Sequence, residues 1–130
     1  MAENRDKRVF VVDDEWVIAQ TLAAILQNAG FQATAFNNPL EALHAAGREA
    51  PDLVISDVVM PQLSGIELAL RMKILYPACK IMLFSGQAET SNLLSDARDQ
   101  GHDFYLMTKP VHPLDMLRQI REQTEPITTA

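Results

Sequence analysis

The sequence predicts a doubly wound, three-layer α/β domain with five parallel strands in the order 2-1-3-4-5 and helices on both faces. Three observations predict it. Short strand-like segments recur five times, at residues 9–12, 32–36, 53–57, 80–84 and 104–107. Longer stretches with apolar residues at helical spacing separate them. The 130 residues divide into five such units of roughly 26 each, and strands that alternate with helices pair in parallel through right-handed crossovers.

The first strand is the apolar run Val9, Phe10, Val11, Val12, which ends in the acidic loop Asp13, Asp14, Glu15. From Trp16 the spacing turns helical, with Ile18, Leu22, Ile25, Leu26 and Ala29 on one face and Gly30 as the stop. Residues 32–36 alternate and form the second strand. Asn38 ahead of Pro39 is an N-cap candidate for a second helix that turns Leu40, Leu43 and Ala46 inward and ends near Gly47. The third strand, Leu53, Val54 and Ile55, runs into Asp57 and is stopped by Met60 and Pro61. Pro61 lacks an N–H and pushes Met60 out of the helical region, so the chain leaves the strand in a loop.

Ser64 and Glu67 have capping-box spacing at the start of a third helix whose apolar face carries Ile66, Leu70 and Ile74. The fourth strand ends at Ser85, Gly86 and Gln87. A helix over residues 90–100 has the thinnest apolar face, mainly Leu93, Leu94 and Ala97, and Gly101 closes it. The fifth strand ends in Thr108, Lys109, Pro110. The last helix starts near Pro113 and turns Leu114, Leu117 and Ile120 inward.

Composition narrows the function. A chain of this length forms one domain, residues 1–130, with an ordered core over about 8–123 and a short tail over 124–130. It is 48% hydrophobic and 22% charged, ordinary for a globular protein. No apolar run reaches the roughly 20 residues of a membrane span, and Arg5, Asp6, Lys7 and Arg8 interrupt any signal-peptide pattern. The single cysteine, Cys79, excludes an internal disulfide and suits a reducing, cytoplasmic setting. A net charge of −6 argues against direct nucleic-acid binding.

The strand ends carry the chemistry. Open α/β sheets bind ligands at the carboxyl ends of their strands, beside the switch point, here between strands 1 and 3. Strand 1 delivers Asp13 and Asp14, strand 3 Asp57, strand 4 Ser85 with Gly86, and strand 5 Lys109. Three carboxylates at one lip repel one another and call for a cation. Hard divalent cations such as Mg²⁺ take oxygen ligands, and a carboxylate can be phosphorylated as a nucleophile. Phosphoryl transfer needs positioning and charge neutralisation, which Mg²⁺ and a lysine supply.

The motifs Val11-Val12-Asp13-Asp14-Glu15, Ser56-Asp57-Val58-Val59-Met60-Pro61, Leu83-Phe84-Ser85-Gly86 and Lys109-Pro110 closely resemble the receiver domain of bacterial two-component response regulators, with its flavodoxin-like three-layer sandwich. The resemblance covers about residues 8–123. It implies that Asp57 accepts a phosphoryl group from a sensor histidine kinase or phosphotransfer protein. It also implies that Asp14 ligates Mg²⁺ directly, that Asp13 assists through water, and that the backbone carbonyl of Val59 completes the protein ligands. Ser85 would hydrogen-bond the phosphoryl group and Lys109 would pair with it. The chain would then be a phosphorylation-dependent switch rather than a turnover enzyme. Its fourth strand, 90–100 helix, fifth strand and last helix would form the face that changes affinity for a downstream protein or a second copy. With no output domain within these residues, a stand-alone receiver is expected if the chain is complete.

One departure from the family pattern falls in strand 5. The family often has an aromatic switch residue three positions before the lysine, where this chain has Leu106, with Tyr105 just upstream. Either Tyr105 takes over through a bulge or the aromatic switch is absent. Trp16 reads as a helix-start packing residue, His44, His102 and His112 as surface groups, and Cys79 as a small apolar residue near a strand start. A phosphorylation-independent binding module is one rival reading. A haloacid-dehalogenase-type phosphatase is another, though it needs a second Asp where this chain has Val59. A nucleotide-binding protein would need a glycine-rich loop after strand 1, which is absent.

Overall fold

A computed structural model describes residues 7–85, 105–108 and 112–124. Five parallel strands form one sheet in the order β2-β1-β3-β4-β5: β1 Arg8–Val12, β2 Gln32–Phe36, β3 Leu53–Asp57, β4 Lys80–Ser85 and β5 Tyr105–Thr108. The helices are α1 Trp16–Asn28, α2 Pro39–Arg48, α3 Gly65–Leu75 and a last helix, Pro113–Thr124. The helix expected over residues 90–100 lies outside the described residues, as do Gly86, His102, Lys109 and Pro110.

Alternation along the strands divides the core into two layers, because successive side chains leave opposite faces of a sheet. Val9, Val11, Leu53, Ile55, Met82 and Phe84 meet α1 and the last helix through Leu22, Leu26, Met116 and Ile120. Phe10, Val12, Val54, Ile81 and Leu83 meet α2 and α3 through Ala42, Ala46, Ile66, Ala69 and Met72.

The helix ends follow the local sequence. Gly30 has φ 100°, and its N–H donates to the Gln27 carbonyl while that of Phe31 donates to Leu26. That is a Schellman close, with Phe31 and Leu26 in the same core layer. Asn38 Oδ1 accepts the Leu40 N–H at 2.8 Å, with Pro39 opening α2. Ser64 Oγ accepts the Glu67 N–H at 3.1 Å. His112 is exposed, and its Nδ1 accepts the Leu114 N–H to cap the last helix. Gln27 donates its side-chain amide to the Ala33 carbonyl at 2.8 Å, so α1 occupies one acceptor on edge strand β2.

Several inward faces differ from the sequence expectation. In α1 the buried residues are Ala19, Leu22, Ala23 and Leu26, with Ile18 and Ile25 on the flanks. Alanines at the centre let the helix sit close to the sheet. In α2, Pro39, Ala42 and Ala46 are buried, while Leu40 is exposed. In α3 the inward stripe is Ile66, Leu68, Ala69 and Met72. At about 100° per residue, Ile74 stands roughly 140° round the helix from Ala69, and it is 74% exposed. In the last helix Leu114 belongs to the exposed first turn, and Met116 takes the buried place instead. Cys79 is buried just before β4, as expected.

Among the described residues, strand β5 ends one residue later than expected, at Thr108. Its register against β4 runs without a break from Met82↔Tyr105 through Leu83↔Leu106 to Ser85↔Thr108, so no bulge interrupts these four residues. Leu106 is exposed at the position where the family often has an aromatic residue.

Candidate functional site

Strands β1 and β3 are hydrogen-bonded neighbours, with Val12 opposite Ser56. One step further along both strands lie Asp13 and Asp57. Neighbouring strands are about 4.8 Å apart, so these side chains emerge together at the carboxyl lip. Asp57 is the last residue of β3 and is 7% exposed; Asp13 is fully buried. Asp13 is held by its backbone N–H, which donates to the Phe36 carbonyl and so continues the β1–β2 pairing. Its Oδ1 accepts the Glu15 N–H at 2.9 Å, which folds the acidic loop back on itself. That turn brings the exposed Asp14 alongside, and carboxylate oxygens of Asp13, Asp14 and Asp57 all lie within 4.8 Å of one another.

Asp57 Oδ1 lies 3.4 Å from the donating N–H of Val59, a long contact across the start of the β3–α3 loop. Val59 itself is exposed. Further along, the Leu63 N–H donates to the Pro61 carbonyl at 2.8 Å around Gln62, whose φ is +74°. This is a γ-turn with a strained centre. Ser85 is the final residue of β4, its backbone opposite Thr108, and Asp57 pairs with its neighbour Phe84. The backbone of Ser85 thus lies at the same lip. Lys109 follows β5 and lies outside the described residues.

Two neighbours of Asp57 make contacts to which the sequence reading assigns no role. Ser56, fully buried, donates its hydroxyl to the Asp57 carbonyl at 2.9 Å. Gly65, at the start of α3, packs against the same carbonyl. The only sequence hint of the second is a glycine at a helical position, where most residues are better helix formers.

The donor set suits a hard cation. All three groups are oxygen ligands, two are buried, and they converge from two strands and a turn. Buried like charges at this separation are costly to hold without a positive partner. Mg²⁺ takes one or two carboxylates together with water and phosphate oxygens.

A doubly wound sheet with an acidic cluster at its switch point defines an α/β protein with a candidate cation site where such sheets bind their ligands. Residues 9–121 match the response regulator receiver domain, and the chain belongs to that family. It is 32% identical over 116 residues to the response regulator receiver protein CpdR of Brucella abortus (strain 2308), covering 89% of this chain and 95% of that protein. It is 32% identical over 113 residues to the transcriptional regulatory protein CreB of Escherichia coli (strain K12), covering 87% of this chain but 48% of that one. The chain therefore spans nearly all of CpdR and about half the length of CreB. In structure it resembles a CheY-like response regulator receiver domain protein from Methanospirillum hungatei JF-1, with a TM-score of 0.82 at 28% identity, over 92% of this chain and 94% of that one.

Receiver domains are signalling modules of two-component systems, switched by phosphorylation rather than working as turnover enzymes. They bind Mg²⁺ at an acidic cluster and interact with histidine kinases or phosphotransfer proteins. Among the described residues, no helix is long and apolar enough to cross a membrane.

Proposed function

We propose that residues 1–130 form a single receiver domain in which Asp57 is the phosphoacceptor. The observation that carries this reading is the convergence of Asp13, Asp14 and Asp57 within 4.8 Å, with Asp57 at the end of a central strand. An Asp57 oxygen attacks the phosphorus of a phosphohistidine on a sensor kinase or phosphotransfer protein. A P–O bond forms, the P–N bond breaks with its electron pair on the imidazole nitrogen, and that nitrogen takes a proton from solvent.

Asp14 and Asp57, with Asp13 through water and the Val59 carbonyl, would hold Mg²⁺, which when bound neutralises charge on the phosphoryl oxygens. Ser85 is assigned the hydrogen bond to the phosphoryl group and Lys109 the ionic partner, by their places at the end of β4 and just after β5. Their movement toward the new charge alters the face formed by β4, residues 90–100, β5 and the last helix, and with it the affinity for a downstream protein or a second copy. The reading places the protein in the cytoplasm, where it would meet the kinase.

The test is labelling with acetyl phosphate and Mg²⁺, followed by intact-mass measurement. The wild type gains one phosphoryl group and Asp57→Asn gains none. An unlabelled wild type would leave a phosphorylation-independent binding module as the better reading. Rapid turnover with no stable adduct would point to a phosphatase, against which an apolar Val59 already stands.

A further inference from the structure

We propose that Gly65 and Ser56 are positioning residues for Asp57, acting together on the peptide group that follows it; this rests on the reading of Asp57 as phosphoacceptor. That peptide and the Val58 carbonyl beyond it are constrained at four points. The Ser56 hydroxyl donates to the Asp57 carbonyl oxygen at 2.9 Å. The Val58 N–H donates to the Phe84 carbonyl of β4 at 3.2 Å, and the Val58 carbonyl accepts the Gly65 N–H at 2.8 Å. Fourth, a Cβ at position 65 would stand 2.0 Å from the Asp57 carbonyl oxygen, 2.9 Å from its carbon and 3.0 Å from Val58 Cα. The first residue of α3 therefore lies directly on the phosphoacceptor's main chain, and only glycine allows that approach.

Helix formation gives no reason for glycine here, since glycine is the poorest helix former apart from proline. Nor is the fit shared by the other helical glycine among the described residues, Gly47, where an added Cβ meets nothing within 4 Å. Pinning the main chain of Asp57 leaves its carboxylate only the side-chain torsions, and so aims it at Asp13. Any Cβ at position 65 forces the start of α3 and the 57–58 peptide apart by about 1 Å, the scale of misplacement that costs roughly 100-fold in a reaction requiring in-line geometry. Removing the Ser56 hydroxyl loosens the same peptide without displacing it, so its effect is smaller.

The experiment compares wild type, Gly65→Ala, Ser56→Ala and, as control, Gly47→Ala. Folding is checked by circular dichroism. Mg²⁺ affinity is read by calorimetry, and labelling by acetyl phosphate is measured at saturating Mg²⁺ and phosphodonor. Folded Gly65→Ala is expected to lose roughly tenfold or more in Mg²⁺ affinity and about 100-fold in maximal labelling rate. Ser56→Ala should lose a few-fold in both, and Gly47→Ala nothing in either. A purely structural role for Gly65 and Ser56 would lower the melting temperature and leave both readouts within twofold of wild type, which overturns the proposal. If Gly65→Ala does not fold, Ser56→Ala decides by the same criteria. An unlabelled wild type refutes the phosphoacceptor reading instead, and the Mg²⁺ titration still reports whether these residues aim the carboxylate.

Discussion

Asp13 and Asp57 stand side by side at the carboxyl ends of two adjacent parallel strands, one rung beyond the Val12–Ser56 pair. Both are buried, and Asp14 closes the cluster from the solvent side. Packing does not require this: three carboxylates this close destabilise the fold unless a cation is shared among them. The arrangement has consequences that can be measured.

Mg²⁺ should stabilise the folded protein, because the unfolded chain lacks the converged ligands. At ten times its Kd, one bound ion raises the unfolding free energy by roughly 1.4 kcal/mol. Thermal melts with and without Mg²⁺ check this, and an unchanged melting temperature at millimolar Mg²⁺ counts against the site.

Asp57→Asn removes one of the mutually repelling charges while keeping the side chain's shape. In Mg²⁺-free buffer the variant should be as stable as wild type or more so, by up to about 1 kcal/mol, the order of the repulsion between two unit charges about 4 Å apart in water. Chemical denaturation in the presence of a chelator measures the difference. The Mg²⁺-induced gain should shrink in the same variant, since a ligand has been lost.

Gln62, at the centre of the γ-turn between Pro61 and Leu63, holds φ at +74°. A non-glycine residue there costs on the order of 1 kcal/mol or more, whereas glycine adopts the conformation freely but loses more chain entropy on folding. Gln62→Gly is therefore expected to be neutral or stabilising by up to about 1 kcal/mol, and Gln62→Val destabilising by more than 1 kcal/mol. Urea unfolding of the two variants reads the sign directly.

Cys79 is buried, and burial pushes its thiol up to about 11 from its ordinary value of 9.0, with Lys73 opposing and Asp52 reinforcing the shift. The thiolate is the reactive form, so the native protein should react with an aromatic disulfide reagent at pH 8 far more slowly than the urea-unfolded chain does. The sign of the stability effect follows from the same shift. Below pH 9 the thiol is neutral in both states and costs nothing. Between pH 9 and 11 the unfolded chain ionises first, so stability falls as pH rises. Cys79→Ala should flatten that part of the pH–stability profile, and equal alkaline slopes in the two proteins would refute the assignment.

How much was legible in the sequence differs by element. Strand β2 and the starts of α1 and α2 coincide with their expected positions, because they rest on local chemistry. An alternating run, an acidic loop, and an Asn ahead of Pro are complete within a few residues. The inward faces of the helices were less legible. Leu40, Ile74 and Leu114 carry apolar side chains at helical spacing yet point to solvent, while Ala19, Ala23 and Ala42 lie against the sheet. Hydrophobicity alone does not say which side of a helix lies closest to a twisted sheet.

The candidate site shows the same division. Residue types at the strand ends were enough to nominate Asp13, Asp14 and Asp57, because strand polarity sends each strand's last residue to the same edge. The sequence alone determined the α/β alternation, the strand order and the chemistry on offer at that edge. Only the tertiary structure decided that Asp13 and Asp57 are neighbours on one rung, that β5 continues through Leu106 without a bulge, and that Gly65 rests on the Asp57 carbonyl. Those facts depend on register and on sub-ångström approach between segments distant along the chain. Local propensity carries no information about either.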